Sequence, residues 1–163
     1  MAEEKDFEIV RVLNAQLDLV WKAHTEEKGL SEWWGPKGFK RVKCKLDLRP
    51  GGVFHYGMQS RDGLMIWGKF IYREIVPKSK LVFVDCFSDE KAGITRHPMA
   101  PKWPAELLNT VTFSEANGKT TLTLRARPIS ATEEERAIFY GAFESMNQGF
   151  GGTYDQLDEY LKK

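Results

Sequence analysis

Cysteine is scarce in this chain: two in 163 residues, at Cys44 and Cys86. They fall in separate β-rich stretches and form no CxxC pair, which excludes a disulfide-dense scaffold and fits packed thiols in a reducing compartment, with a bridge between the two left open. Histidine is as sparse. His24, His55 and His97 show neither HExxH nor any other ligand spacing, so no metal is expected. Excess charge is missing too: 24 Lys and Arg stand against 23 Asp and Glu, a net charge of +1 that sets up no long-range field for nucleic acid or an anionic membrane. No stretch approaches the roughly 20 apolar residues of a membrane span, and the acidic start MAEEKD lacks an apolar signal core, so the protein reads as cytoplasmic. Phosphate-cradling and nucleophile motifs are absent as well. Gly149-Phe150-Gly151-Gly152 is not GxGxxG, no glycine loop continues into GK[ST], and there is no GxSxG elbow, so no cofactor is expected.

What is present organises around the C-terminus. Between residues 131 and 161 the apolar residues Phe139, Phe143, Met146, Phe150, Tyr154, Leu157 and Leu161 recur every three or four positions. That spacing predicts one face of a single helix about 45 Å long. Ser130 or Thr132 can cap its start, with Glu133 or Glu135 in the matching capping-box position. Gly149, Gly151 and Gly152 interrupt the stripe. They mark either a close approach or kink of the helix, or room for a ligand beside Phe150.

The rest reads as strands. Residues 7–14 form a first strand, and Asp18 can cap a short helix ending near Thr25. A second short helix carries Leu30, Trp33 and Trp34 and stops at Gly35-Pro36. Strands follow at 42–48, 53–59, 64–76, 81–87, 107–113 and 120–127, separated by the turn sequences Pro50-Gly51-Gly52, Asp62-Gly63, Pro77-Lys78-Ser79 and Asn117-Gly118. Short connections make consecutive strands antiparallel. The chain is therefore expected to be one α+β domain over residues 1–163. Residues 89–104, with His97, make a loop long enough for a lid or an edge crossing.

Register follows from the turns. A two-residue turn at Asn117-Gly118 opposes Phe113 to Leu122 and Val111 to Leu124 on a dry face, with Thr110, Thr112, Thr121, Thr123 and Arg125 on the wet one. Asn109 shares the dry parity and needs a hydrogen-bond partner in protein, water or a bound molecule. Around Asp62-Gly63 a two- or four-residue loop puts Phe54, Tyr56, Met58, Met65 and Trp67 on one side. Phe70, Tyr72, Phe83, Asp85 and Phe87 then fall on the other parity, so a bulge near Gly68 is expected to swap faces and bring Tyr72 and Asp85 together. If Asp85 faces the interior among Phe83 and Phe87, desolvation raises its pKa and suits it to acid or base work. It could equally pair with Tyr72 or Arg73, or face water.

These pieces resemble a known family. Trp33-Trp34-Gly35-Pro36, Pro50-Gly51-Gly52 before Phe54, Trp67-Gly68-Lys69-Phe70, the run from Tyr72 to Pro77 with Leu81-Val82-Phe83, Thr110-Val111-Thr112-Phe113 and Gly149-Phe150-Gly151-Gly152-Thr153 are similar, in order and over the whole chain, to the activator of Hsp90 ATPase homologue 1-like (AHSA1-like) branch of the SRPBCC, START or Bet v 1-like superfamily. The resemblance implies a helix-grip fold, in which a curved antiparallel sheet wraps a long C-terminal helix, two short helices follow strand 1, and a cavity lies between sheet and helix. It further implies binding of a small hydrophobic or aromatic molecule there. The expected walls are Trp34, Phe54, Tyr56, Met58, Met65, Trp67, Tyr72, Phe87, Phe113, Phe143, Met146 and Phe150, with Asn109 and Asp85 as orienting groups. Two alternatives stand beside it: an enzyme using Asp85 as acid or base in that cavity, and a chaperone-linked interaction module. The chain is expected as a monomer or homodimer.

Overall fold

In a computed structural model that describes residues 5–96 and 100–162, the element order is β1 (Phe7–Leu13), α1 (Leu17–Thr25), α2 (Glu27–Trp33), β2 (Lys40–Leu46), β3 (Val53–Gln59), β4 (Met65–Val76), β5 (Lys80–Ser88), β6 (Glu106–Ala116), β7 (Lys119–Pro128), α3 (Glu133–Tyr140) and α4 (Phe143–Leu161). The seven strands make one curved, fully antiparallel sheet in the order β1-β7-β6-β5-β4-β3-β2, with α1, α2 and the C-terminal helix on its inner face. This is the helix-grip architecture expected of the resemblance. The Asn117-Gly118 hairpin has the register derived from its turn, with Phe113 opposite Leu122 and Val111 opposite Leu124.

The single 45 Å helix does not form. The stretch is two helices, α3 and α4, separated at Gly141-Ala142. Thr132 and Glu135 close a reciprocal capping box at the start of α3. At its other end the Gly141 amide donates to Ala137 O. Phe139, fully buried, meets Trp103 at 5.7 Å between ring centroids, while Phe143 meets Phe7 at 5.4 Å. The Phe139 and Phe143 rings also meet each other edge-on at 5.5 Å, so the apolar stripe stays continuous across the break. Asp18 likewise is no cap: Gln16 occupies that position without a side-chain bond, and Asp18 pairs with Lys78 at 2.7 Å.

The second correction concerns the β3–β4 hairpin. Gln59 opposes Met65, leaving a five-residue loop whose Gly63 takes φ +91°. An odd loop moves the register by one residue, and in a strand that sends every side chain to the opposite face. Met58 therefore opposes Ile66, and the inner face carries Phe54, Tyr56, Met58, Gly68, Phe70 and Tyr72. Met65 and Trp67 lie on the outer face, where Trp67 stacks on His55 at 5.4 Å. No swap occurs at Gly68. The bulge lies between Tyr72 and Glu74, so Glu74 turns outward to an ion pair with Lys80 at 2.7 Å, and Tyr72 opposes Phe83 rather than meeting Asp85.

The glycines of this hairpin have a cross-strand logic. Gly57 opposes Trp67 on the outer face and Gly68 opposes Tyr56 on the inner one, and each aromatic ring lies across the glycine facing it. A Cβ on Gly57 would sit 2.5 Å from the Trp67 ring, and one on Gly68 would strike the Tyr56 hydroxyl. In α4, by contrast, a Cβ on Gly149 or Gly151 would have no atom within 4 Å. Alanine should therefore have opposite effects at the two places. Gly68→Ala is expected to cost about 2 kcal/mol through overpacking, and Gly151→Ala to add about 0.5–1 kcal/mol through helix propensity, both read from urea midpoints.

Candidate functional site

The interior between sheet and helices narrows to an enclosure of about 20 Å³. Its lining comes from His24 of α1, Leu30 and Trp33 of α2, Trp34 at the α2 end, Phe70 and Tyr72 of β4, Leu81 and Phe83 of β5, Asn109 and Val111 of β6, Leu124 of β7, and Phe150 and Tyr154 of α4. That volume admits about one water molecule, far less than an open ligand chamber, because the rings interdigitate. Phe70 stacks on Phe83 at 4.1 Å, Trp34 meets Phe70 edge-on at 5.0 Å, and Tyr154 stacks on Trp33 at 6.1 Å. The wider surface depressions are of another kind. One of about 460 Å³ near the C-terminal end of α4 is open and charged, and its Asp155 and Asp158 are already engaged by Arg11.

Thirteen side chains line the enclosure and none is charged at neutral pH. Three are polar in the sense that matters. Asn109, 2% exposed, donates from Nδ2 to Leu107 O at 3.2 Å. Trp34 presents an indole Nε1 that is buried and finds no partner, although it lies near the Tyr56 hydroxyl. His24 donates from Nδ1 to Val20 O at 2.8 Å, because a carbonyl can only accept, and its buried Nε2 is left without a partner. Its ring is packed edge-on against Trp33 at 4.9 Å and Phe113 at 5.0 Å. Burial pushes its pKa down from 6.5 to about 4, the Val20 bond opposing weakly, so the ring is neutral at physiological pH.

Asp85 sits beside this space rather than in its wall. It lies half-buried on the inner face opposite Phe70, and Tyr56 Oη donates to its Oδ1 at 3.4 Å. Desolvation lifts its carboxyl from 3.8 to about 7 against the opposing effect of the Tyr56 bond. Its hydrogen-bond partner is thus Tyr56, not Tyr72 or Arg73. The Tyr56 hydroxyl is itself held well above its usual pKa, by burial first and by the Asp85 charge second.

Of the residues singled out from the sequence, Trp34, Tyr72, Asn109 and Phe150 meet around the enclosure. Phe54, Tyr56, Met58 and Phe113 are inner-face core residues behind it, and Phe87 is half-buried opposite Gly68. Phe143 and Met146 pack half-buried on the core from the first half of α4. Met65 and Trp67 are on the wrong side of the sheet. His97 lies outside the described residues. Sequence reasoning missed His24, which shares the buried stripe of α1 with Val20 and Ala23, and that i, i+3, i+4 spacing was the available signal. Among the described residues no cluster of three or more His, Cys, Asp or Glu could hold a metal, both cysteines are free thiols, and no helix is long and apolar enough to cross a membrane.

The sequence profile of the family described as activator of Hsp90 ATPase homolog 1-like protein matches residues 14–162. No curated protein matches. Among solved structures, a protein from Nitrosomonas europaea is 24% identical, with TM-score 0.76 over 99% of this chain and 97% of that one. A solution structure from Arthrobacter aurescens is 23% identical with TM-score 0.78 over 99% and 90%, and a Mycobacterium smegmatis protein is 24% identical with TM-score 0.74 over 99% and 96%. At these identities the likeness establishes the fold.

His24 and Asp85 act on stability with opposite signs. His24 stays unprotonated in the folded chain down to about pH 4 while the unfolded chain takes a proton near 6.5, so its contribution is lost as pH falls through that window. Asp85 keeps a proton in the folded chain up to about pH 7 while the unfolded chain releases it near 3.8, so its contribution is lost as pH rises. Asp85→Asn removes the second effect alone. Relative to the parent protein, its urea stability should climb by more than about 1 kcal/mol between pH 4.5 and 7; a parallel pH profile would contradict the burial of this carboxyl.

Proposed function

The chain belongs to the activator of Hsp90 ATPase homolog 1-like family, and from that premise we propose that the protein binds a small, largely apolar aromatic molecule between its sheet and α4. The observation that carries this reading is an enclosure walled by Trp33, Trp34, Phe70, Phe83, Phe150 and Tyr154, with no charge in its lining. At about 20 Å³ the space admits a ring only if a wall moves. The wall able to move is the first half of α4. Phe143, Met146 and Phe150 are only half-buried there, and Gly149 and Gly151 weaken the helix without being demanded by any close contact. The second half is tied down by Thr153 and Gln156, so the swing would hinge near Gly152.

A second reading, conversion of the bound molecule, is favoured by Asp85: a carboxyl titrating near pH 7 beside a tyrosine hydroxyl is suited to passing a proton in either direction. An Asp85→Asn variant that binds a compound but leaves it unchanged, where the parent converts it, would establish that reading.

The binding reading is tested with naphthalene as probe, followed by NMR of the Trp33 and Trp34 indoles and the ring of Phe150. Saturable shifts confined to these residues are expected. Joining Gly149→Ala to Gly151→Ala should slow association severalfold while raising stability. Absence of shifts at these rings up to the solubility limit would overturn the reading.

A further inference from the structure

The enclosure is not uniformly apolar, and its one unsatisfied acceptor is specific. His24 is 93% buried, as its 7% exposure requires, and its Nδ1 is spent on Val20 O, so the lone pair on Nε2 has no partner at the wall of the space. Leaving such an atom dry costs about 1–3 kcal/mol, a cost that a donor brought by a ligand removes. On the neighbouring wall, the buried Trp34 indole N–H lies beside the Tyr56 hydroxyl and interacts with it, short of full hydrogen-bond geometry. The orphaned acceptor is thus His24 Nε2, and the rings of Trp33, Phe70 and Phe83 that share its enclosure favour a flat partner. No charged side chain faces the space, so an ionised ligand would be desolvated without compensation.

We propose that the molecule held between sheet and α4 is an uncharged, hydroxyl-bearing aromatic compound whose O–H donates to His24 Nε2. This rests on the binding reading above and narrows it from shape to chemistry. The low pKa of His24 supports it, since a ring that stays neutral keeps Nε2 an acceptor throughout the physiological range.

The experiment compares 2-naphthol with 2-methylnaphthalene, which have nearly the same shape and differ in the donor. In the parent protein 2-naphthol should bind about tenfold more tightly, and the ¹⁵N resonance of His24 Nε2 should move in the direction of an accepted hydrogen bond. His24→Phe should erase the preference, the two compounds then binding with equal affinity whatever its common value. The ¹⁵N shift in the parent protein decides the matter even if that variant fails to fold. Equal affinity of the two compounds with an unmoved Nε2 resonance overturns the hydroxyl assignment and leaves the binding reading standing. Binding of neither compound, with Nε2 bonded to one trapped water only, overturns both.

Discussion

The structure depends on how its last helix is held. Gly35, at the corner after α2, offers one carbonyl oxygen that accepts from Thr153 Oγ1 at 3.0 Å and from Gln156 Nε2 at 2.6 Å, and Gln156 reaches Trp33 O as well. From the sheet edge, Arg11 of β1 bridges Asp155 and Asp158 at 2.5 and 2.7 Å, with Leu157 fully buried between these polar ties. Among the described residues, the polar contacts that tie α4 to the rest of the fold therefore fall on residues 153–158. The first half is held by packing instead: Phe143 and Phe150 lie against Phe7, Phe143 also meets Phe139 and Tyr140, and Phe150 stacks on Tyr154. In the proposed binding mode this helix acts as a hinged wall, with the interior behind the half that polar contacts do not tie.

That arrangement sets the chemistry available. The interior is closed by aromatic edges and faces, so it tolerates neither charge nor bulk water, and a polar atom inside it is either satisfied or costly. Trp33 is satisfied through Ala23 O at 2.9 Å and Trp34 Nε1 lies beside the Tyr56 hydroxyl, whereas His24 Nε2 has no partner. Asp85 shows the intermediate case. Half-buried and linked to Tyr56, it answers desolvation by holding its proton to near neutrality instead of pairing with a cation. The fold thus supplies a neutral aromatic box with an acceptor and a donor in its wall, and a titratable group beside it.

Much of this was legible in residues 7–161, and the exceptions have physical causes. Asn117-Gly118 fixes its hairpin because a two-residue turn leaves one register, and the strand pairing that followed was right. Asp62-Gly63 did not, because the same dipeptide serves even and odd loops; the odd one forms, and Met65 and Trp67 changed sides with it. The face swap foreseen at Gly68 does exist, but at the bulge near Arg73; Gly68 is instead a seat for the Tyr56 ring. The stripe from Phe139 to Leu161 reads as one helix because the apolar spacing carries on across the short break at Gly141-Ala142, where Phe139 and Phe143 stay in contact. The spacing of His24 from Val20 and Ala23 puts it on the buried stripe of α1, but nothing local tells a core histidine with both nitrogens satisfied from one with a free lone pair.

Native-state hydrogen exchange along α4 tests the hinged wall most directly. The account predicts that amides of residues 147–152 open locally, at a free energy well below global unfolding, while those of 154–161 exchange only with the whole protein. Uniform protection from one end of α4 to the other would contradict it.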